Sequence, residues 1–240
     1  MDHMKRIAVI SCSLALLSQA QSVLVQEAPE EEEGVVYSAG AYWSSKYISE
    51  GRDNLERGGM FIADGAADFY GFTAGAWYGL ADTVSYDELK MFLEYSFECG
   101  PVELLAGYTR LEFFKDDAGD NELMVGAQLN CIPWVVPGVE YVYSTEADGS
   151  FAELSLGAPI KCSKCGLVLI PYILEGFDFG FASHDYNGFN NFQVGVIADY
   201  PLTEHLCLVG SVNHSWANQD VRKDGCGDES WLSVGLKAAF

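Results

Sequence analysis

Apolar residues alternate with small or polar residues along most of this chain, in short segments that follow one another. The last segment shows the pattern: counting back by twos from Phe240 places apolar side chains on one face, at Ala238, Leu236, Val234 and Leu232. Residues two apart on an extended strand share a face. Twelve such segments begin at residue 35: 35–48, 58–69, 71–81, 87–98, 101–114, 122–131, 136–145, 150–160, 166–178, 190–200, 205–217 and 229–240. The pattern predicts a protein made of strands.

Charge marks one face of these strands and is absent from the other. In the segment 87–98, Glu88, Lys90 and Glu94 share a face, and the residues between them are apolar. A soluble β-sandwich also alternates, but it buries its apolar face between two sheets. Here the uncharged face is long and ends in aromatic residues, and most segments have the ~9–11 residues of a tilted transmembrane strand or a little more. The sequence therefore predicts an all-β fold, an antiparallel transmembrane β-barrel of about 12 strands.

The connections between the segments alternate in length. Short turns fall at residues 70, 99–100, 132–135, 161–165 and 201–204. Longer or more polar loops fall at residues 49–57, 82–86, 115–121, 146–149, 179–189 and 218–228. Transmembrane barrels have short periplasmic turns and longer outer loops. Twelve strands place both ends of the barrel on the periplasmic side, which agrees with this assignment.

The residues before the barrel read as an export signal and a charged leader. Lys5 and Arg6 precede an apolar stretch that ends in small residues near position 20, so residues 1–20 are predicted to be a signal peptide. A lipoprotein signal ending at Cys12 is the alternative. Residues 21–34 contain a run of glutamates, which predicts an acidic disordered leader, with metal binding or partner docking as the alternative. The predicted barrel domain covers residues 35–240.

The composition argues against a nucleic-acid-binding protein and against a membrane protein that crosses the bilayer with helices. The formal net charge is −22, which argues against nucleic acid as a partner because phosphates require basic residues. The longest uncharged apolar run after the signal, residues 165–174, is shorter than the ~20 residues of a membrane-spanning helix. In lipid, only helices and closed barrels satisfy every backbone group. The 25 glycines, 13 tyrosines and 14 phenylalanines suit short strands, tight turns and aromatic girdles.

Alternation also predicts which polar side chains line the lumen. The candidates are Glu88, Lys90, Glu94, Glu103, Glu122, Gln128, Glu140, Glu153, Glu175, Asp199, Asn213 and Lys237. The set is net acidic, so a pore lined by it should favour cations over anions. Alternatively, these side chains pair and fill the interior. Barrels of eight strands are packed and those of sixteen are open, so twelve strands allow both.

Six cysteines follow the signal segment, and an even number in an exported chain suggests disulfides, with 15 connectivities for six. Cys162 and Cys165 share one turn and most simply pair with each other. Cys99 and Cys131 sit near successive periplasmic turns, where a second bridge is an option. The alternative is a zinc knuckle at Cys162 and Cys165, completed by Cys99, Cys131 or His205. The oxidising periplasm favours the disulfide, and we expect no metal.

No catalytic constellation is recognisable. Ser183, His184 and Asp185 have the residue types of a hydrolase triad, but three consecutive residues cannot easily form a nucleophile–base–orienter relay. They are interpreted as a polar outer loop. The glycine-rich segments lack the spacing of a phosphate loop. We therefore expect neither catalytic residues nor a cofactor, although an outer-membrane enzyme with a His, Ser and Asp cluster at one rim stays an alternative.

Two stretches near the start of the barrel resemble the TorF-like porins. That family typically carries a Ser-x-Tyr-x-x-x-Gly pattern on its first strand, matched here by Ser45, Tyr47 and Gly51. A Gly-Phe-Tyr-x-Gly-x-Trp strand follows in the family, and the matching residues here are Gly71, Phe72, Gly75 and Trp77. The chain departs from the family at Glu50, where arginine is usual, and Arg52 follows the glycine instead. The resemblance implies an outer-membrane barrel for solute passage.

The terminal Phe240 resembles the sorting signal by which bacterial outer-membrane barrels are recognised for assembly. Outer-membrane lipid and the barrel-assembly machinery are therefore the expected partners, with small solutes as further ones. The function predicted is porin-like passage of small solutes through a cation-favouring lumen. The alternative is a non-conducting structural or adhesion barrel of the outer membrane.

Overall fold

The computed structural model describes residues 34–55, 57–132 and 134–240. The predicted signal peptide and nearly all of the acidic leader lie outside these residues. The described chain forms twelve long strands: β1 (Val36–Ser44), β2 (Met60–Phe69), β3 (Phe72–Ala81), β4 (Asp87–Cys99), β5 (Val102–Phe113), β6 (Ala118–Leu129), β7 (Val136–Ser144), β8 (Gly149–Gly157), β9 (Val168–Phe179), β10 (Asn187–Pro201), β11 (Leu206–Ala217) and β12 (Glu229–Ala239).

Each long strand pairs antiparallel with the strands before and after it in the sequence. The first and last strands also pair, from Ser38 opposite Ala239 to Ser44 opposite Ser233. Strands β8 and β9 pair as well, so the ring is continuous. Closure gives every long strand two neighbours, which satisfies the backbone groups that an open edge would expose. The prediction of a twelve-stranded antiparallel barrel is confirmed.

Several strand ends differ from the sequence prediction. Strand β1 ends at Ser44 rather than residue 48, because the chain then turns into a separate short hairpin of Ile48–Ser49 and Arg52–Asp53. Strand β6 begins at residue 118 rather than 122. Strand β10 begins at residue 187 because a bulge at Asn190 lets the strand continue. A bulge adds one residue to one strand and leaves the pairing on either side intact.

Two small elements lie in the connections. A two-residue strand, Ile160–Lys161, extends the turn between β8 and β9 by pairing with β9. A five-residue helix, Gln219–Lys223, lies in the loop between β11 and β12 and was not predicted. Within the described residues, no helix is both long and apolar enough to cross a membrane.

The outer surface of the barrel is apolar along its length and aromatic towards its ends. Aliphatic side chains such as Val125 and Val212 are exposed at mid-strand. At the end with the short turns, the Phe72 and Tyr95 rings lie 4.6 Å apart. At the end with the longer loops, the Phe177 and Phe189 rings lie 5.0 Å apart. An apolar band between aromatic girdles is the surface of a transmembrane barrel.

The buried apolar side chains form small clusters on the inner face rather than one large core. The most extensive cluster lies near the loop end and includes Trp77, Met60 and Ile62. Others line the inner faces of β9 and β10 and of β6 to β8. Between these clusters the inner face is polar, which places the candidate site inside the barrel.

Candidate functional site

The connection between β1 and β2 folds into the barrel over its described residues, 45–55 and 57–59, and we call this segment the mouth loop. Tyr47, Ile48 and Leu55 are at most 3% exposed. Tyr47 and Leu55 pack in the same cluster as Trp77, and the Tyr47 and Trp77 rings lie 6.0 Å apart. Burial of each large apolar side chain stabilises this arrangement by ~1.5–3 kcal/mol. The mouth loop is thus an inserted element that occupies the loop end of the interior.

Glu88 on β4 provides a polar anchor for the same loop. Its Oε2 accepts hydrogen bonds of 2.7 Å from the hydroxyls of Tyr47 and Tyr86. Its Oε1 lies 3.1 Å from Nζ of Lys90, whose ammonium also sits 5.2 Å from the centre of the Trp77 ring. Glu88 and Lys90 are both buried. Because the charges are paired and hydrogen-bonded, this interior position tolerates them.

Arg52 ties the tip of the mouth loop to the two neighbouring loops of the rim, which follow β9 and β11. Its Nε and Nη2 donate to Oδ2 of Asp224 at 2.9 and 2.7 Å. Its Nη1 donates to Oδ1 of Asn190 at 2.9 Å, and Nη2 donates to Oγ of Ser183 at 3.0 Å. Nη2 also lies 3.1 Å from Oδ2 of Asp220, which is fully buried. We call this set of contacts the Arg52 latch, and it joins three neighbouring loops of the rim.

The hairpin that presents Arg52 depends on one glycine. Ile48 pairs with Asp53 and Ser49 with Arg52, so Glu50 and Gly51 form a two-residue turn with φ values of 45° and 72°. Two consecutive positive φ values are those of a type I′ turn, which favours glycine. A Cβ on Gly51 would also lie 2.8 Å from Cβ of Asn191. Any larger residue at position 51 is therefore disfavoured twice.

The pKa values of Glu50 and Asp224, both in loops of the mouth, are shifted in opposite directions. Burial raises the pKa of Glu50, although the Ser49 hydroxyl and the charges of Lys90 and Arg52 oppose the shift. The hydrogen bond from Arg52 lowers the pKa of Asp224. The latch carboxylate therefore stays ionised in mildly acidic conditions, whereas Glu50 takes up a proton more readily than an ordinary glutamate.

The structure places eleven of the twelve lumen candidates on the inward-facing side of their strands. They are Glu88, Lys90, Glu94, Glu103, Glu122, Gln128, Glu140, Glu153, Asp199, Asn213 and Lys237. Glu175 is the exception. On β9 the inward positions are Tyr172, Leu174 and Gly176, so Glu175 lies on the outer face next to the exposed Ile173. Both faces of β9 are largely apolar, so the alternation does not show which face is inward. The charge of Glu175 therefore led to a wrong assignment to the lumen.

The six cysteines among the described residues are free thiols. The Sγ atoms of Cys162 and Cys165 lie 2.8 Å apart in one turn, whereas a disulfide requires ~2.05 Å. Cys99 and Cys131 are exposed. Both disulfides stay predictions. Across the described residues, no group of three or more His, Cys, Asp or Glu side chains is arranged to hold a metal ion.

The three residues of triad type in the loop after β9 do not form a relay. The Ser183 hydroxyl donates to Oδ2 of Asp224 at 2.9 Å and accepts from Arg52. Its partners are thus an acid and a guanidinium rather than a histidine, and Ser183 belongs to the latch.

Phe240 closes the barrel through its backbone. Its carbonyl accepts from Tyr37 N at 3.0 Å, and its N–H donates to Tyr37 O at 2.9 Å. The side chain is exposed and stacks on His205 with ring centres 6.0 Å apart. The aromatic ring is therefore available at the end with the short turns.

The sequence did not predict that the residues of the Arg52 latch form one site. Arg52 and Asp224 are 172 positions apart, and no spacing relates them. One signal was present: the loop expected at residues 49–57 carries the apolar residue Leu55, directly after Tyr47 and Ile48 at the end of the expected first strand. Apolar residues in an outer loop indicate that the loop packs against something.

No protein-family model matches the chain, and no curated protein matches it. Solved structures do. The KdgM porin in complex with disordered oligogalacturonate matches with a TM-score of 0.59 and 9% identity, over 85% of this chain and 99% of that one. The NanC porin matches with a TM-score of 0.54 and 8% identity, over 85% and 99%. LpxR from Salmonella typhimurium matches with a TM-score of 0.50 and 10% identity, over 84% and 99%.

At these identities the likeness shows the fold: this chain is a barrel of the same architecture as these outer-membrane proteins. The TorF-like assignment has no family match and stays a resemblance.

Proposed function

We propose that this protein is an outer-membrane barrel for porin-like passage of small solutes, with a preference for cations. The observation that carries the proposal is the division of the closed barrel into an apolar outer face and a charged inner face. A barrel interior that only needed filling would be served by apolar side chains. The likeness to the KdgM and NanC porins and the resemblance to TorF-like porins support the same function.

The cation preference is argued from the inward-facing candidates. Seven of the eleven are carboxylates, and the two inward lysines are Lys90 and Lys237. Rings of carboxylates favour cations in a pore. KdgM was solved with oligogalacturonate, which is a polyanion. The acidic interior of this chain would repel such a molecule, so its solutes belong to a different class.

The mouth loop is proposed to form the constriction. It inserts from the loop end, and the Arg52 latch fixes its tip against the loop between β11 and β12. A solute must pass beside the loop or displace it. The size limit of the pore is then set by the packing of Tyr47 and by the stability of the latch.

The proposed location is the bacterial outer membrane, with lipid against the apolar face. The exposed ring of Phe240 is available to the assembly machinery at the end with the short turns. The short turns and both ends of the barrel lie on one side, as in barrels whose turns face the periplasm.

The test is conductance of the refolded protein in a planar bilayer, with a KCl gradient to measure the reversal potential. Stepwise currents support passage. A reversal potential closer to the equilibrium potential of K⁺ than to that of Cl⁻ supports the cation preference. Currents that favour Cl⁻ would remove the cation preference and leave passage standing.

A second candidate function is a non-conducting structural or adhesion barrel. The specific observation in its favour is the burial of Tyr47, Ile48 and Leu55, which fill the loop end of the interior. The two functions differ in how Arg52→Ala should behave. Release of the latch opens a porin, whereas a structural barrel stays closed.

A further inference from the structure

Glu175 places a carboxylate on the lipid-facing surface of the barrel. Its outward neighbours on β9 are the exposed Ile173 and Phe177, which belongs to the aromatic girdle at the loop end. Its cross-strand neighbour on β10, Phe192, is also apolar. Within the described part of the chain, the Glu175 side chain forms no hydrogen bond or ion pair. Acyl chains offer no donor to a carboxylate, so lipid leaves this group unsatisfied.

His214 occupies the corresponding outward position on β11. It lies between Val212 and Trp216, which are both exposed, and its ring packs edge-on against Trp216 with centres 4.3 Å apart. Nδ1 of His214 lies 2.7 Å from Oγ of Ser230. The hydroxyl can donate to Nδ1, and the ring proton then sits on Nε2. His214 therefore supplies an N–H donor on the same surface on which Glu175 supplies an acceptor.

The strand register places Glu175 and His214 at nearly the same depth in the membrane. Rows of directly paired residues climb towards the loop end with strand order, since the row through Ser38 near the start of β1 reaches Gly149 at the loop end of β8. The row from Glu175 reaches Trp216 two strands on, and His214 lies two residues back from Trp216 towards the short turns. For strands ~4.8 Å apart and tilted ~45°, the climb and the step back cancel to about 2 Å. The two groups then lie ~12 Å apart around the barrel.

Equal depth matters because two copies in one membrane have the same orientation. A two-fold axis along the membrane normal brings each position to a position of equal depth on the partner, on the other side of the axis. An axis beside β10, between Glu175 and His214, therefore brings Glu175 of each copy to His214 of the other. One self-complementary contact satisfies both carboxylates and both imidazole N–H groups.

We propose that the outward face of β9 to β11 binds a second copy of this chain, with Glu175 of each copy accepting a hydrogen bond from His214 of the other. The surface carries both members of a complementary pair, which makes a copy of itself the partner that fits. Phe192 and Val194 lie between the two groups and keep water away from the contact. A hydrogen bond to an ionised carboxylate is of the stronger kind, and more so where the dielectric constant is low. The inference goes beyond solute passage and holds whether or not the barrel conducts.

The experiment is photo-cross-linking of the refolded barrel in phosphatidylcholine vesicles, with p-benzoylphenylalanine in place of Phe192. We expect a covalent dimer on a denaturing gel. Glu175→Leu removes the acceptor and His214→Leu removes the donor, and each should lower the dimer yield at least fivefold. Leucine suits a lipid-facing position, so both variants should fold, which heat-modifiable mobility on gels verifies. The exchanged variant, Glu175→His with His214→Glu, should restore the dimer.

The controls lie on β5, across the barrel from the proposed interface. Glu112→Gln changes an outward carboxylate that pairs with Arg110, and it should leave the dimer yield unchanged. The photo-cross-linker in place of the exposed Tyr108 should give no dimer. The proposal is overturned if position 192 yields only monomer or lipid adducts, or if both leucine variants cross-link as the wild type does. It is also overturned if position 108 cross-links equally well, or if the exchanged variant forms no more dimer than the single variants.

Discussion

Arg52→Ala should release the mouth loop from the rim. Alanine removes the ion pair to Asp220, which is fully buried, and the hydrogen bonds to Asp224, Asn190 and Ser183. Breaking a buried pair by removing one partner costs ~3–5 kcal/mol. The Asp224 side chain is 41% exposed, so its share is small, under ~1 kcal/mol. A loss of about 3 kcal/mol corresponds to roughly a hundredfold change in the ratio of inserted to displaced loop.

Two assays read this ratio. Single-channel recording should show larger or longer openings for Arg52→Ala than for the wild type. Chymotrypsin, which cleaves after aromatic and large apolar residues, should cut the displaced loop at Tyr47 or Leu55 much faster. Arg110→Ala is the control. It removes a solvent-screened ion pair to Glu112, between side chains 32% and 35% exposed, that contributes little to stability and lies outside the mouth.

If Arg52→Ala conducts and resists cleavage as the wild type does, the latch does not hold the loop. If Arg110→Ala has the same effect as Arg52→Ala, the change reflects general destabilisation of the barrel. Either result would remove the latch from the account of the mouth.

Three further predictions test other parts of the structure. Val125→Arg should lower the free energy of unfolding in bilayers by ~2–4 kcal/mol because Val125 faces lipid, whereas Gln128→Arg on the inward face should lower it little. Equal losses for the two variants would contradict the assignment of faces. Deleting Phe240 should lower the amount of protein in the outer membrane while refolding in detergent survives, and unchanged membrane levels would count against a sorting signal. Burial raises the pKa of Glu50, so the inserted loop binds this proton more tightly than the displaced loop does. Insertion should strengthen as pH falls towards the raised pKa of Glu50 and weaken as pH rises through that pKa. Chymotrypsin cleavage, scaled at each pH to that of Arg52→Ala, should lose this dependence in Glu50→Gln.

The barrel was predictable because side chains on a strand point to the same face every two residues. One face of each strand is apolar and the other is polar, so the sequence alternates. Val125 and Gln128 on β6 lie on opposite faces in the structure as the alternation predicts. Glu175 was misplaced because β9 is apolar on both faces, so the pattern gives no phase there. The bulge at Asn190 escaped prediction for a related reason: one extra residue shifts the phase without changing the composition.

The mouth was not predictable from spacing. A loop can fold outwards or into the barrel, and the choice depends on distant partners such as Trp77 on β3 and Asp220 in the last loop. The resemblance to TorF-like porins drew attention to Tyr47 and Gly51 without giving them a role. The structure supplies one, because Tyr47 anchors the loop to Glu88 and Gly51 permits the turn that presents Arg52.

The central claim is that this barrel conducts small cations past the mouth loop, and single-channel recording in a KCl gradient tests it most directly. The account predicts stepwise currents for the wild type, with a reversal potential that favours K⁺, and larger or longer openings for Arg52→Ala. No conductance steps in either protein, when both are shown to be folded and inserted, would contradict it.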